Sequence, residues 1–256
     1  MIYPPADALD TVWHAVAWVR AERKDGGSRS NVTSERVAIV TGGSRGIGRA
    51  VARRLARDGV AVVVGCAERR KAADEVVETI IEGGGRALSI QADVGDEAAV
   101  IGMFDRAEKE FGRLDVVVHP AARMSLALVS DLEVSVLDEL HRTNVRGTFL
   151  VSREAARRLR AGGSLTNFST SAIGMSLPTY GAYAASKGAV ESLTLILARE
   201  LRGRNITVNT IAPGATVTDM FLKGKSEAAI NSIADSVPLQ RLGTPEDIAE
   251  VVAYLM

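Results

Sequence analysis

The sequence predicts an α/β fold: a doubly wound parallel sheet in one main domain. Three observations predict it. Apolar, β-prone runs recur at 36–41, 60–65, 86–91, 115–119, 163–169 and 206–211. Helical patterns alternate with them at 46–58, 70–82, 96–111, 131–161, 180–203 and 245–255. A glycine cluster falls at the first strand-to-helix turn. Strands that are nearly continuously apolar are those covered on both faces, and strand–helix alternation makes them parallel. Right-handed crossovers then wind the sheet in both directions.

Composition bounds the reading. With 256 residues, 46% of them hydrophobic, the chain can fill one large core. A formal net charge of +0 gives no global field for nucleic acid or an anionic membrane. The basic cluster Arg153, Arg157, Arg158 and Arg160 reads as a solvated helix face. Cys66 is the single cysteine, which excludes an intrachain disulfide and fits a reducing compartment. It follows an apolar run and reads as a buried structural thiol. The start is not a signal peptide: His14 interrupts the apolar stretch 12–19, and Asp7 and Asp10 stand where basic residues belong. No apolar run is long enough to span a bilayer. The expectation is a soluble cytoplasmic protein without nucleic-acid or membrane partners and without a metal site.

Taken in order, residues 7–24 show helical spacing of Leu9, Val12, Val16 and Val19, with Trp13 and Trp18 beside the stripe. This is an amphipathic arm for packing on its own domain or on a partner subunit. Residues 25–34 read as a linker. The division is thus a helical arm and linker, 1–34, and a main domain, 35–256.

The first strand runs into Thr41-Gly42-Gly43-Ser44-Arg45-Gly46-Ile47-Gly48, and a helix pattern follows at once. Glycine permits the turn and lets backbone approach a ligand. Free N–H groups at the helix start suit a pyrophosphate. The placement at the first strand-to-helix turn, more than the glycines themselves, points to a Rossmann-like dinucleotide site. Further on, Tyr183-Ala184-Ala185-Ser186-Lys187 puts a phenol and an ammonium on one helix face. A nearby cation favours the phenolate, so Tyr183 can exchange a proton with a carbonyl or alcohol oxygen.

Thr-Gly-x-x-x-Gly-x-Gly at 41–48, together with Tyr183 and Lys187, resembles the short-chain dehydrogenase/reductase family. The spacing differs from the Gly-x-Gly-x-x-Gly form. The resemblance runs from about residue 35 to 256, and the pattern is similar to 3-oxoacyl-(acyl-carrier-protein) reductases. It implies an oxidoreductase that interconverts a ketone and a secondary alcohol, moving a hydride between the nicotinamide and the carbonyl carbon. It implies the catalytic residues Asn144, Thr170, Tyr183 and Lys187. Thr170 stands where the family has a serine that orients the substrate oxygen. Asn144 stands where a helix asparagine supports a water-mediated proton relay; a side chain bridging helix backbone is the other reading. The cofactor contacts implied are Thr41, Gly42, Ser44, Arg45, Gly46, Ile47, Gly48, Asp93, Val94, Ala121, Pro213, Gly214, Thr216 and Thr218, with Tyr183 and Lys187. Asp93 resembles the adenine contact, although a helix N-cap suits it almost equally.

In an NAD-selective site an acidic residue after the second strand binds the ribose 2′-hydroxyl. Cys66 takes that position here, and Arg45, with Arg69 as a further candidate, can hold a 2′-phosphate. The expected cofactor is NADP. NAD is the alternative, with Glu68 on the ribose and an alcohol or sugar as substrate. A dinucleotide-binding protein with little turnover is a third reading.

The chain departs from the family in two places. His119-Pro120-Ala121-Ala122 replaces Asn-Asn-Ala-Gly; His119 is read as a strand-end structural residue, with a base as the alternative. Relatives also continue past the last helix into a further strand, whereas this sequence stops at Met256. A sheet without its final edge strand is therefore expected. The segment 219–236, with Met220, Phe221 and Leu222, reads as an apolar lid or as an ordinary surface helix. Relatives in the family are often dimers or tetramers, which makes a homo-oligomer an open expectation.

Overall fold

Six strands carry the molecule in the computed structural model, which describes residues 36–256. The arm expected at 7–24 and the linker at 25–34 lie outside the described residues. The strands are β1 (Val37–Val40), β2 (Ala61–Cys66), β3 (Ala87–Gln91), β4 (Val116–His119), β5 (Ser164–Phe168) and β6 (Thr207–Ile211). They pair in the order β3-β2-β1-β4-β5-β6, and every recorded pairing is parallel. The order reverses between β1 and β4, which opens a crevice at the carboxyl ends of those strands.

The helices are α1 (Gly46–Arg57), α2 (Arg70–Glu82), α3 (Glu97–Phe111), α4 (Val134–Leu140), α5 (Gly147–Arg158), α6 (Ala172–Met175), α7 (Gly181–Glu200), α8 (Asp219–Leu222), α9 (Glu227–Asp235) and α10 (Pro245–Leu255). The period-2 alternation of the strands sorts the core into two layers. Ala38, Val40, Val62, Val64, Val116 and Val118 pack with α1, α2 and α10. Ile39, Val63, Val117 and Leu165 pack with α3, α5 and α7. Cys66 is buried in the first layer, and burial pushes its thiol up, away from thiolate chemistry.

The pattern at 131–161 resolves into more than one helix. Between α4 and α5 the path continues through a π-helical turn, His141–Arg146. Side-chain periodicity predicts the helical path but not this change of hydrogen-bond register, which lies in the backbone. The basic cluster matches the solvated face expected only in part: Arg157 and Arg160 are exposed, whereas Arg153 and Arg158 are partly buried in ion pairs. Arg153 pairs with Glu97 at 2.6 Å, and Arg158 with Asp105 at 2.6 Å and Glu108 at 2.9 Å. Arg157 and Arg158 both reach Glu154, which is 2% exposed. Arg153 and Arg158 join α5 to α3, while the buried Glu154 carboxylate draws its compensating charge from the arginines of its own helix.

Candidate active site

The crevice is built from the first turn outward. Leaving β1, Thr41 donates its N–H to Val118 O at 3.0 Å. Gly42 and Gly46 then take φ of 59° and 50°, a region that suits glycine. A side chain at Gly48 would run into the Gly42 carbonyl, so the loop and α1 pack without clearance. Helix α1 starts with no side-chain cap and no acidic residue in its first turn. Its orphan N–H groups and positive dipole end remain for an anion. Ser44 is buried in the loop, and Ile47 packs into the first core layer. This cradle fits a dinucleotide pyrophosphate.

Around it lie the charged side chains. Arg45 Nη1 and Arg69 Nη1 stand 3.7 and 3.9 Å from Asp219 Oδ2, so both guanidinium groups converge on one carboxylate. Asp93 accepts the Gly95 N–H at 2.9 Å and pairs with Arg142 Nη1 at 2.7 Å. Burial pushes the Asp93 carboxyl up, but these partners outweigh it and hold it below its usual range. Asp93 is not a helix cap: Asp96 caps α3 by accepting the Ala99 N–H at 2.8 Å. Val94 is buried against Gly147. Ala121 donates its N–H to Thr41 Oγ1 at 3.4 Å and lies against Gly42.

The loop after β6 closes another side. Pro213 O accepts the Ser171 N–H at 3.1 Å, and Thr216 Oγ1 donates to Gly214 O at 3.0 Å. Thr218 caps α8 and lies near Gly46, which brings this loop onto the glycine turn. The segment beyond it forms α8 and α9, neither of which has a fully buried residue.

Helix α7 delivers Tyr183 and Lys187 from one face. Both are buried, and the Lys187 ammonium stands 5.9 Å from the Tyr183 ring centroid. Lys187 Nζ donates to Phe168 O at 2.7 Å, at the end of β5. The Thr170 hydroxyl lies beside the Tyr183 phenol and favours its ionised form. Neither neighbouring serine takes that place: Ser169 Oγ donates to Glu191 Oε1 at 2.6 Å, and Ser171 Oγ faces Met175. Burial pushes the Tyr183 phenol up to about 12, against the influence of the Thr170 hydroxyl, which lowers it. Burial lowers Lys187 to about 8.

Asn144 sits fully buried in the π-helical turn. Its Oδ1 accepts the Arg123 N–H at 2.8 Å, and its Nδ2 donates to Arg123 O and to Ser186 Oγ, each at 2.9 Å. The side chain therefore bridges backbone of the loop after β4 rather than of its own helix. Ser186 Oγ passes its hydrogen to Tyr183 O at 2.7 Å, which ties this loop to α7. Arg123, Ser186 and Asp219 were not singled out in the sequence. Only Ser186 lay within a motif, as an unassigned position between Tyr183 and Lys187.

His119 ends β4 with a buried ring. Its Nδ1 lies 2.7 Å from Thr41 Oγ1, while Nε2 is buried without a hydrogen-bond partner. Burial, aided by the Lys187 charge, lowers the imidazole to about 3. It is thus a neutral strut under the glycine turn and not a base open to solvent. Ala122 is absent from the described non-glycine residues with positive φ, so the loop passes the cleft on ordinary backbone.

A family model described as enoyl-(acyl carrier protein) reductase matches residues 42–256. A short-chain type dehydrogenase/reductase of Picea abies is 46% identical over 233 residues, covering 86% of this chain and 85% of the relative. The versicolorin reductase stcU of Emericella nidulans is 42% identical, covering 86% and 88%. A crystal structure of a Burkholderia cenocepacia short chain dehydrogenase in complex with NADP superimposes with a TM-score of 0.81 at 37% identity, covering 86% and 89%. The chain belongs to the short-chain dehydrogenase/reductase family and is an oxidoreductase of that family.

Proposed function

We propose that the protein is an NADP-dependent reductase that interconverts a ketone and a secondary alcohol, in the manner of 3-oxoacyl reductases. The observation that carries the chemistry is a buried Tyr183 phenol with the Thr170 hydroxyl and the Lys187 ammonium beside it. A bound nicotinamide dinucleotide supplies or accepts the hydride. Thr41 to Gly48 would hold its pyrophosphate, and the 213–218 loop its nicotinamide end. Thr170 orients the substrate oxygen. Tyr183 donates the proton to that oxygen in reduction and takes it back in oxidation. A phenol held near 12 is protonated at neutral pH, which favours the donor role. Lys187 shares the helix face of Tyr183, where burial rather than its charge sets the phenol of the ligand-free protein, and Asn144 ties the loop after β4 to α7.

The cofactor choice rests on Arg45 and Arg69, whose guanidinium groups already converge on a carboxylate. The NADP-bound neighbour supports it. The mouth beside Tyr183 supports an apolar substrate. Ala127 N–H bonds Thr179 O at 3.1 Å, joining 123–130 to 171–180, and Leu126, Val129, Met175 and Leu177 are exposed there. The single buried cysteine supports a reducing, cytoplasmic setting.

The test is a titration of the protein with NADPH and NADH by nicotinamide fluorescence, followed by turnover of apolar ketones. Tighter NADPH binding is expected. Tyr183→Phe should cut kcat by about a hundredfold or more with cofactor affinity retained. Tighter NADH binding would transfer the reading to NAD-dependent alcohol oxidation, which Glu68 favours. Binding without turnover across the panel would leave a dinucleotide-binding protein.

A further inference from the structure

Glu68 is the first carboxylate after β2, two residues beyond Cys66, which takes the position of the acid that binds the ribose 2′-hydroxyl of NAD. A free carboxylate there would repel the 2′-phosphate of NADP. The structure gives it a partner from the far side of the crevice. Arg123 Nη2 lies 3.4 Å from Glu68 Oε1, and Arg123 Nη1 lies 2.6 Å from Glu139 Oε2 on α4. Glu139 steers the guanidinium from one side while Glu68 takes it from the other.

The arginine is also anchored. Both its backbone N–H and its C=O are held by the buried Asn144 side chain. Its Cα therefore has little freedom, and the side chain springs from a fixed place beside the cleft. The other charges recorded around the cleft are already engaged with one another: Arg45 and Arg69 with Asp219, and Arg142 with Asp93. Among the described residues, Arg123 is the recorded ion-pair partner of Glu68.

We propose that Arg123 is a specificity-determining residue, which engages Glu68 and so makes the crevice tolerate a ribose 2′-phosphate. The inference rests on the NADP reading above. An exposed ion pair adds little to folding stability. Its field is another matter, because the dinucleotide arrives carrying a dianion at this spot. Release of Glu68 places a bare carboxylate near that dianion and favours the uncharged 2′-hydroxyl instead.

The experiment is a double-mutant cycle on the full chain, read as Kd for NADPH and for NADH by fluorescence titration. Arg123→Ala should weaken NADPH about tenfold, the size expected of one charge a few ångströms away at a wet surface, and leave NADH unchanged or tighter. Glu68→Gln alone should leave NADPH affinity unchanged or tighter, because it frees the Arg123 cation. Arg123→Ala with Glu68→Gln should recover NADPH affinity to within about twofold of the wild type, because the charge to be neutralised is gone. A double variant as weak as Arg123→Ala overturns the proposal, since Arg123 would then act on the phosphate or on the loop itself. An Arg123→Ala protein with unaltered NADPH affinity overturns it equally. Thermal melts check folding; the bonds to Asn144 are made by backbone and survive the alanine. Wild-type preference for NADH overturns the cofactor reading, whereas absence of coupling between positions 123 and 68 overturns the role of Arg123 alone.

Discussion

Lys187 is an ammonium in the protein core, 3% exposed, with a single recorded hydrogen bond, to Phe168 O. Burial lowers it to about 8 from an ordinary 10.5. Between those values the unfolded chain binds more protons than the folded one, so stability rises with pH across that window. Below about pH 8 the full cost applies, on the order of 3 kcal/mol. Lys187→Met should therefore stabilise the ligand-free protein at pH 7 by about 1–3 kcal/mol, the range allowing for the lost hydrogen bond. It should also flatten the rise between pH 8 and 10, while turnover collapses. Chemical denaturation at several pH values measures both. An equally steep rise in the variant would mean that Lys187 is not its source. Tyr183 and Lys187 were legible in the sequence because their spacing on one helix face defines them. Arg123 was not: its role is set by where Asn144 grips its backbone, and that grip joins residues distant in the chain.

Among the elements, the π-helical turn shows most clearly what periodicity hides. The pattern at 131–161 predicts a helical path, and the path is present. A wider turn, however, changes which side chains face the sheet's end. It delivers Asn144, an amide with poor helix propensity, to a buried position where three hydrogen bonds await it. Asn144→Ala leaves the Arg123 N–H and C=O and the Ser186 hydroxyl short of partners. A loss of about 3 kcal/mol is expected, at about 1 kcal/mol for each bond. Hydrogen exchange should quicken first at Arg123 and in the loop after β4. Equal protection in the variant would show that the clamp does not hold the loop. Helix α1 was legible to within a residue at its end, since its glycine turn, apolar stripe and continuous strand all agree.

At the scale of the molecule, six apolar runs became six strands, each within a residue or so of its expected ends. Continuous apolar strands admit few arrangements other than a parallel sheet covered on both sides. What the sequence concealed is the charge that joins the covering helices. Glu154 is enclosed by Arg153, Arg157 and Arg158, and two of these, Arg153 and Arg158, reach Glu97, Asp105 and Glu108 on α3. Glu154→Gln leaves these cations without their buried counter-charge and should cost about 3 kcal/mol, read as a lower melting temperature. A change of less than about 0.5 kcal/mol would mark the network as mere surface charge. Asp219 has a different consequence. It is a tethered anion already lodged between Arg45 and Arg69, so it acts as an internal competitor. Any phosphate those arginines capture must share or displace it, and displacement frees the first residue of α8. Occupancy of the phosphate site and the position of α8 then become one linked equilibrium. Asp219→Asn should tighten NADPH binding and uncouple α8 from it; unchanged affinity would mean that the carboxylate and the phosphate do not contend for the same place.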